Sequence, residues 1–411
     1  MLFIPERHEE LAGACWSVGE ARAGIDEIVA AACRDFDPLT GWPLDPQDQE
    51  PGEPQMPATA LYHGAAGVVW ALQHLQSVGL ARIPIELGAF VAGLLARHRE
   101  RSRAAGQAGV PSYLLGEAGV LLLLWKQERA QCWADALFAA VESNLDNPTL
   151  EALWGSPGTL VAALHVLDAT DTGAERERWQ ALLRRGVDRL FASMHVACHS
   201  SRPDEALWLW TQDLYGHHID YLGAGHGFAG NLFPVLRGAR WLDPALLRCF
   251  EERTEQLLGA VALREAGRIN WDPAFDAAAR GWPHKPLLQD CHGAPGIICR
   301  LATTHSGRLQ AMLVDAGELV WEAGPLSKGA GLCHGTAGNG FALLKLQRMT
   351  GDARWLHRAR AFAMHALAQT RRHAAVRGRP RHSLWTGDLG AALLLAACLG
   401  GDDRFPTLDV F

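Results

Sequence analysis

Gly116-Glu-Ala-Gly-Val-Leu-Leu-Leu-Leu-Trp125 joins a Gly-x-x-Gly turn to a run that is apolar on nearly every face. A helix that is hydrophobic all round has to be buried on all sides. The same unit recurs along the chain, opening at Gly64, Gly116, Gly155, Gly227, Gly293, Gly335 and Gly387. Successive first glycines lie as few as 39 residues apart (Gly116 to Gly155) and as many as 72 (Gly155 to Gly227), so the period is loose. Recurrence of one unit is still the mark of a repeat architecture.

Between these runs lie segments of another kind. Residues 175–190 and 352–367 carry charge on one side and apolar groups on the other, at a spacing close to 3.6. Apolar helices alternating with amphipathic ones describe two concentric layers, the second covering the first with its polar faces outward. The expectation is an all-α fold, an α/α toroid of about seven inner and seven outer helices. The Gly-x-x-Gly turns would gather at one end of it, where glycine permits tight turns and close approach. Strand signals are almost absent.

The chain has 411 residues, long for one core, but seven copies of one unit argue for a single domain over 1–411. Residues 1–57 read as a helical segment and an acidic, Pro-rich surface loop (37–57) ahead of the first repeat. A net charge of −7 without a basic stripe argues against nucleic acid as a partner. No apolar run reaches the ~20 residues that span a bilayer, and the N-terminus lacks the apolar core of a signal peptide. Nine scattered cysteines fit free thiols in the cytoplasm. Seven of them (Cys15, Cys33, Cys132, Cys198, Cys249, Cys299 and Cys398) read as small, mostly buried hydrophobes.

The other two stand in matched hexapeptides, Cys291-His-Gly-Ala-Pro-Gly296 and Cys333-His-Gly-Thr-Ala-Gly338. Two Cys-His pairs offer four donors of the kind that zinc takes. A structural zinc would use all four; a catalytic one would use three and keep a position open. Spacing alone does not choose between His292 and His334, which occupy equivalent places in adjacent repeats.

The seven turns, the two hexapeptides, Tyr221-Leu-Gly-Ala-Gly-His-Gly-Phe-Ala-Gly230 and Gly324-Pro-Leu-Ser-Lys-Gly-Ala-Gly-Leu-Cys-His-Gly335 together resemble the lanthionine synthetase C-like family. The resemblance runs from about residue 60 to the end, and the tail Arg404-Phe-Pro406 is similar to the eukaryotic-type branch. It implies one zinc held by Cys291, Cys333 and His334, whose open position takes an incoming thiol. That thiol would add to dehydroalanine or dehydrobutyrine in a peptide or protein. In the eukaryotic-type branch the thiol is glutathione; in the bacteriocin cyclases it is a cysteine of the same peptide, which closes a lanthionine ring. A non-catalytic scaffold keeping zinc for stability is the third reading.

The resemblance also implies roles. His226 matches the proton-transfer histidine, and imidazole titrates near neutral pH. Glu151 matches an acidic residue facing the centre. Lys328 matches a glutathione contact, and a second is expected in the basic run Arg377, Arg379 and Arg381, with Arg379 taken as the candidate. His292 is expected either to support the metal's ligands from behind or to face substrate, and His63 to be structural. One departure stands out: Asp290 occupies a position usually held by tryptophan. A carboxylate there would accept a hydrogen bond from His292 or add negative charge beside the zinc, which opposes an acidic thiol.

Overall fold

The computed structural model describes residues 1–11, 13, 15–49 and 56–411. Each Gly-x-x-Gly turn opens a helix. These are α2 (Ala65–Ser77), α5 (Glu117–Glu128), α7 (Ser156–Asp168), α9 (Phe228–Arg237), α11 (Ala294–Leu301), α13 (Thr336–Thr350) and α15 (Asp388–Gly400). Each packs on the next, and α15 returns to α2, so the seven close into a ring. An outer layer consists of α1 (Val18–Arg34), α4 (Leu94–Ala104), α6 (Gln131–Ser143), α8 (Ala174–Ala192), α10 (Pro244–Val261), α12 (Gly307–Ala323) and α14 (Ala353–Arg377). A short α3 (Gly88–Ala92) precedes α4. The α/α toroid is therefore present with seven inner and seven outer helices among the described residues.

Burial follows the sequence pattern. In α5 every residue from Ala118 to Trp125 is buried, whereas α8 buries Trp179, Leu182, Leu183, Gly186, Val187 and Leu190 and exposes its charged face. The second glycine of each turn has a steric reason. A Cβ at Gly119 would fall onto the carbonyl oxygen of Tyr113, and one at Gly296 onto that of Asp290. The backbone folds back on itself six residues on, too close for any side chain.

Helix α1 packs against α15, so the chain's N-terminal helix covers its last inner helix. The tail packs against the inner helices, and Leu408 reaches the central space that they enclose. The Thr407 carbonyl accepts hydrogen bonds from Tyr113 and His165, and Lys345 pairs with Asp403 and Asp409 at 3.1 and 2.8 Å.

Three features depart from the sequence reading. Three two-stranded hairpins occur: β1 (His195–His199) with β2 (Arg202–Leu209), β3 (Gln212–Leu214) with β4 (His217–Ile219), and β5 (Leu263–Glu265) with β6 (Arg268–Asn270). Two are closed by Tyr215-Gly216 and Ala266-Gly267 with positive φ at both residues, the tight reversal that short strands favour. The stretch 37–57 is not simply a surface loop. Its residues 50–55 lie outside the described residues, but Asp45 is buried and Asp48 forms an ion pair with Arg381. Of the seven cysteines read as mostly buried, Cys33, Cys299 and Cys398 are buried, and Cys15, Cys132, Cys198 and Cys249 are exposed. No helix among the described residues is long and apolar enough to cross a membrane.

Candidate metal centre and active site

The turns meet in a ring of backbone hydrogen bonds at the N-terminal ends of the inner helices. The Trp385 N–H donates to the Tyr62 carbonyl (3.1 Å), Tyr62 to Leu114 (2.9 Å) and Cys333 to Trp385 (2.9 Å). Cys291 donates to Cys333 (3.1 Å), Gly225 to Cys291 (3.0 Å) and Ala152 to Gly225 (3.3 Å). Between the second and third repeats the Ser112 hydroxyl bridges to the Leu153 carbonyl. Every repeat therefore presents its side chains in one register. The residue two before the first glycine points to the barrel axis: Tyr62, Leu114, Leu153, Gly225, Cys291, Cys333 and Trp385 line one central space. In six of the seven repeats the residue one before it faces an open cavity of about 860 Å³ above, lined by His63, Leu115, Trp154, His226, His334 and Thr386. That volume lies in the range of small-molecule sites.

Two adjacent repeats place sulfur at the axial position, and one of them turns an imidazole to the cavity. One donor atom from each of Cys291, Cys333 and His334 falls within 4.8 Å of the others. A tetrahedral zinc with bonds of about 2.0–2.3 Å needs donors of this kind roughly 3.5–3.8 Å apart, a spacing within that limit. The thiols share a hydrogen bond that holds Cys291 below the usual thiol range and pushes Cys333 well above it. Two sulfurs sharing a proton form the pair on which a soft divalent cation replaces it. Inner-helix N-termini converge here, and their partial positive charge favours thiolate.

Further groups touch the sulfurs. The Gln289 side-chain amide donates to Cys291 Sγ at 2.9 Å. The Tyr62 hydroxyl lies against Cys333, and its ring stacks on Trp385 at 5.7 Å. Neither residue was singled out from the sequence. Aligning the repeats on their glycines would have found Tyr62, at the axial position; no local signal marks Gln289.

His226 and Glu151 come together. The His226 Nδ1–H donates to Glu151 Oε2 at 2.9 Å, and Glu151 has no solvent exposure. Its carboxylate also accepts the Leu153 N–H (3.0 Å) and the Trp154 N–H, which locks it against its own turn. With Nδ1 committed, Nε2 is left for the cavity. The Trp154 indole donates to the Tyr215 hydroxyl at 3.2 Å, and both residues line the cavity over His226.

Lys328 lines the cavity and has no ion-pair partner among the described residues. Arg379 does not line it and sits 4.0 Å from Asp45. Arg381 does line it, with two nitrogens on Asp48, so the loop arginine at the cavity is Arg381 rather than Arg379. Arg377 is the last residue of α14. His63 faces the cavity as well as its own turn.

His292 is outside the donor group and outside the cavity lining. Its ring stands 5.7 Å from His226 and 5.5 Å from Tyr221, with a buried Nδ1 that has no hydrogen-bond partner among the described residues. Burial, then His226, pushes it down to about 3, so it packs as a neutral ring behind His226 rather than facing substrate. Asp290 neither touches His292 nor adds net charge. Arg300, one helical stretch on, clamps both its oxygens at 3.1 and 2.8 Å, and both side chains are buried. The expected repulsion of an acidic thiol thereby loses its basis.

The model of the family described as "Lanthionine synthetase C-like protein" matches residues 55–410. The chain belongs to the lanthionine synthetase C-like family. Two eukaryotic relatives agree with the eukaryotic-type resemblance. It is 30% identical over 196 residues to "Glutathione S-transferase LANCL1" of Danio rerio, covering 46% of each chain. It is 32% identical over 152 residues to "LanC-like protein GCL1" of Arabidopsis thaliana, covering 36% of this chain and 33% of that one. The matched parts thus span less than half the length of these relatives. The solved structure of "Nisin cyclase" superimposes with a TM-score of 0.58 at 15% identity, covering 83% of this chain and 88% of the other, and shares the family's fold.

Proposed function

We propose that this family member is a single-domain, zinc-dependent enzyme that adds the thiol of glutathione to dehydroalanine or dehydrobutyrine residues of a peptide or protein. The observation that carries the reading is a two-sulfur, one-nitrogen donor set at the floor of a cavity whose wall holds a carboxylate-bound histidine. Zinc on Cys291, Cys333 and His334 would supply a Lewis acid that favours the thiolate form of an incoming thiol. Three protein donors would leave a position for that thiol, the pattern of catalytic rather than structural sites.

The protein's own residues handle charge and protons. The Lys328 ammonium attracts a glutathione carboxylate and orients the tripeptide. Attack of sulfur on the alkene β-carbon forms the C–S bond and moves the π electrons onto Cα and its carbonyl. His226, charged through Nε2, returns a proton to Cα. The thiol proton lost at the start balances the one gained, so no oxidant or reductant enters. Glu151 keeps the ring oriented and stabilises its cationic form. Nine free cysteines suit a reducing cytoplasm.

The same geometry would serve a cysteine of the peptide itself, as in a cyclase. Lys328, with no ion-pair partner among the described residues, favours the free acidic tripeptide. The test is zinc-loaded protein incubated with glutathione and a dehydroalanine peptide, read by mass. The expected product is the glutathione adduct. Absence of adduct from protein that holds zinc, with ring closure in a peptide bearing its own cysteine, would transfer the reading to a cyclase.

A further inference from the structure

Cys291 and Cys333 would be thiolates as ligands, and a thiolate is itself a nucleophile. An alkene brought to this site therefore meets three sulfurs, only one of which is meant to react. The two cysteines are not equally sheltered: Cys333 is a buried residue, whereas Cys291 is only half-buried as a residue. Attack by Cys291 would form a thioether to the enzyme and remove a ligand.

Gln289 stands at the sulfur of Cys291, the less buried of the two cysteines. Its side-chain amide donates to Cys291 Sγ at 2.9 Å, and its backbone N–H donates to the His292 carbonyl at 3.0 Å, closing a turn around the cysteine. Two buried asparagines pin that turn. Asn270 donates to the Leu287 carbonyl and accepts from the Ala294 N–H, and Asn339 donates to the Leu288 carbonyl. The amide is thus held in place.

We infer that Gln289 is a positioning residue that orients Cys291 for the metal and, by hydrogen-bonding its sulfur, directs the electrophile to the incoming thiol. The inference rests on the zinc reading above. A donor on a ligand sulfur withdraws charge from it, lowers its nucleophilicity and leaves the metal more electron-poor; partners of this kind change metal affinity by about 10- to 100-fold.

The test uses full-length Gln289→Leu and Gln289→Glu, the second matching the amide in shape while replacing the N–H donor with oxygen. Both are expected to bind zinc about 10-fold more weakly in chelator competition. In the cobalt-substituted proteins the sulfur-to-metal charge-transfer band should move to longer wavelength. Iodoacetamide should alkylate Cys291 faster than in wild type, read by peptide mass. A Gln289→Glu protein matching wild type in all three would overturn the inference, because shape alone would then suffice. That variant decides the matter even if Gln289→Leu does not fold. Wild-type protein that takes up no zinc would sink the zinc reading itself; wild type with one zinc and unaltered variants sinks only the role of Gln289.

Discussion

Glu151 accepts the Nδ1–H of His226 at 2.9 Å from a fully buried position, joining residues 75 apart in the chain. The carboxylate fixes which imidazole nitrogen meets the cavity. His226→Asn should therefore lower adduct formation by about 10²- to 10⁴-fold, the usual share of a general acid-base group, while zinc content stays at the wild-type level. Glu151→Gln should cost less, roughly 10- to 100-fold, because the histidine remains but its orientation is no longer enforced. Wild-type turnover by His226→Asn would leave the pair a packing feature.

Metal content separates the two histidines of the hexapeptides. Cys291→Ala and Cys333→Ala should lose stoichiometric zinc by elemental analysis yet keep most of their helical circular dichroism, since the inner helices hold the bulk of the core. His334→Ala should lose it as well. His292→Ala should retain it, since that ring is outside the donor group.

Gly225 occupies the axial place next to Cys291, and a Cβ there would come 2.9 Å from the cysteine Cβ. Gly225→Ala is expected to push Cys291 off its position and weaken zinc binding by about 10-fold or more, by analogy with losses of supporting groups around metals. Chelator competition reads the effect directly; unchanged affinity would mean that the ring yields at this point.

Lys328 should act on the acidic thiol alone. Lys328→Ala is expected to raise KM for glutathione by roughly 10-fold, the loss of one charge-assisted contact, with little change in kcat. With 2-mercaptoethanol, which has no carboxylate, the variant should match wild type. An equal loss with both thiols would place the lysine on the peptide or the reacting centre.

Asp388, the first residue of α15, is buried, and burial pushes its carboxyl up to about 7. The Arg381 N–H and charge oppose the shift, and Asp45 and Glu27 add to it. A raised acid destabilises once ionised. The penalty is absent below the unfolded value near 4, grows as pH rises, and is complete above about 7. Asp388→Asn should thus raise stability at pH 8 by a few kcal/mol at most, read as a higher thermal midpoint, and leave the midpoint nearly unchanged at pH 4. Equal shifts at both pH values would refute the ionisation account.

The two layers were legible in the chain because burial of a helix is written in its own residues. The run Val120–Trp125 has no polar side to expose, while residues 175–190 have one. The same holds for the donors. Cys291 and Cys333 announce themselves because equivalent repeats deliver equivalent positions to one axis, and two repeats carry sulfur there. The hairpins were less legible, since Tyr215-Gly216 and Ala266-Gly267 are weak turn signals between short strands.

By itself, the sequence determined the seven-fold alternation, the glycine turns and the supply of two sulfurs and an imidazole, all encoded within spans of a few residues. Partnership across the ring was decided only by the tertiary structure. It brought Glu151 to His226, gave Asp290 the buried counter-charge of Arg300, and set Arg381 rather than Arg379 at the cavity. It also turned His334 toward the donor group and packed His292 behind His226. Those outcomes depend on how the ring closes, and ring closure sets distances between residues that no local spacing relates.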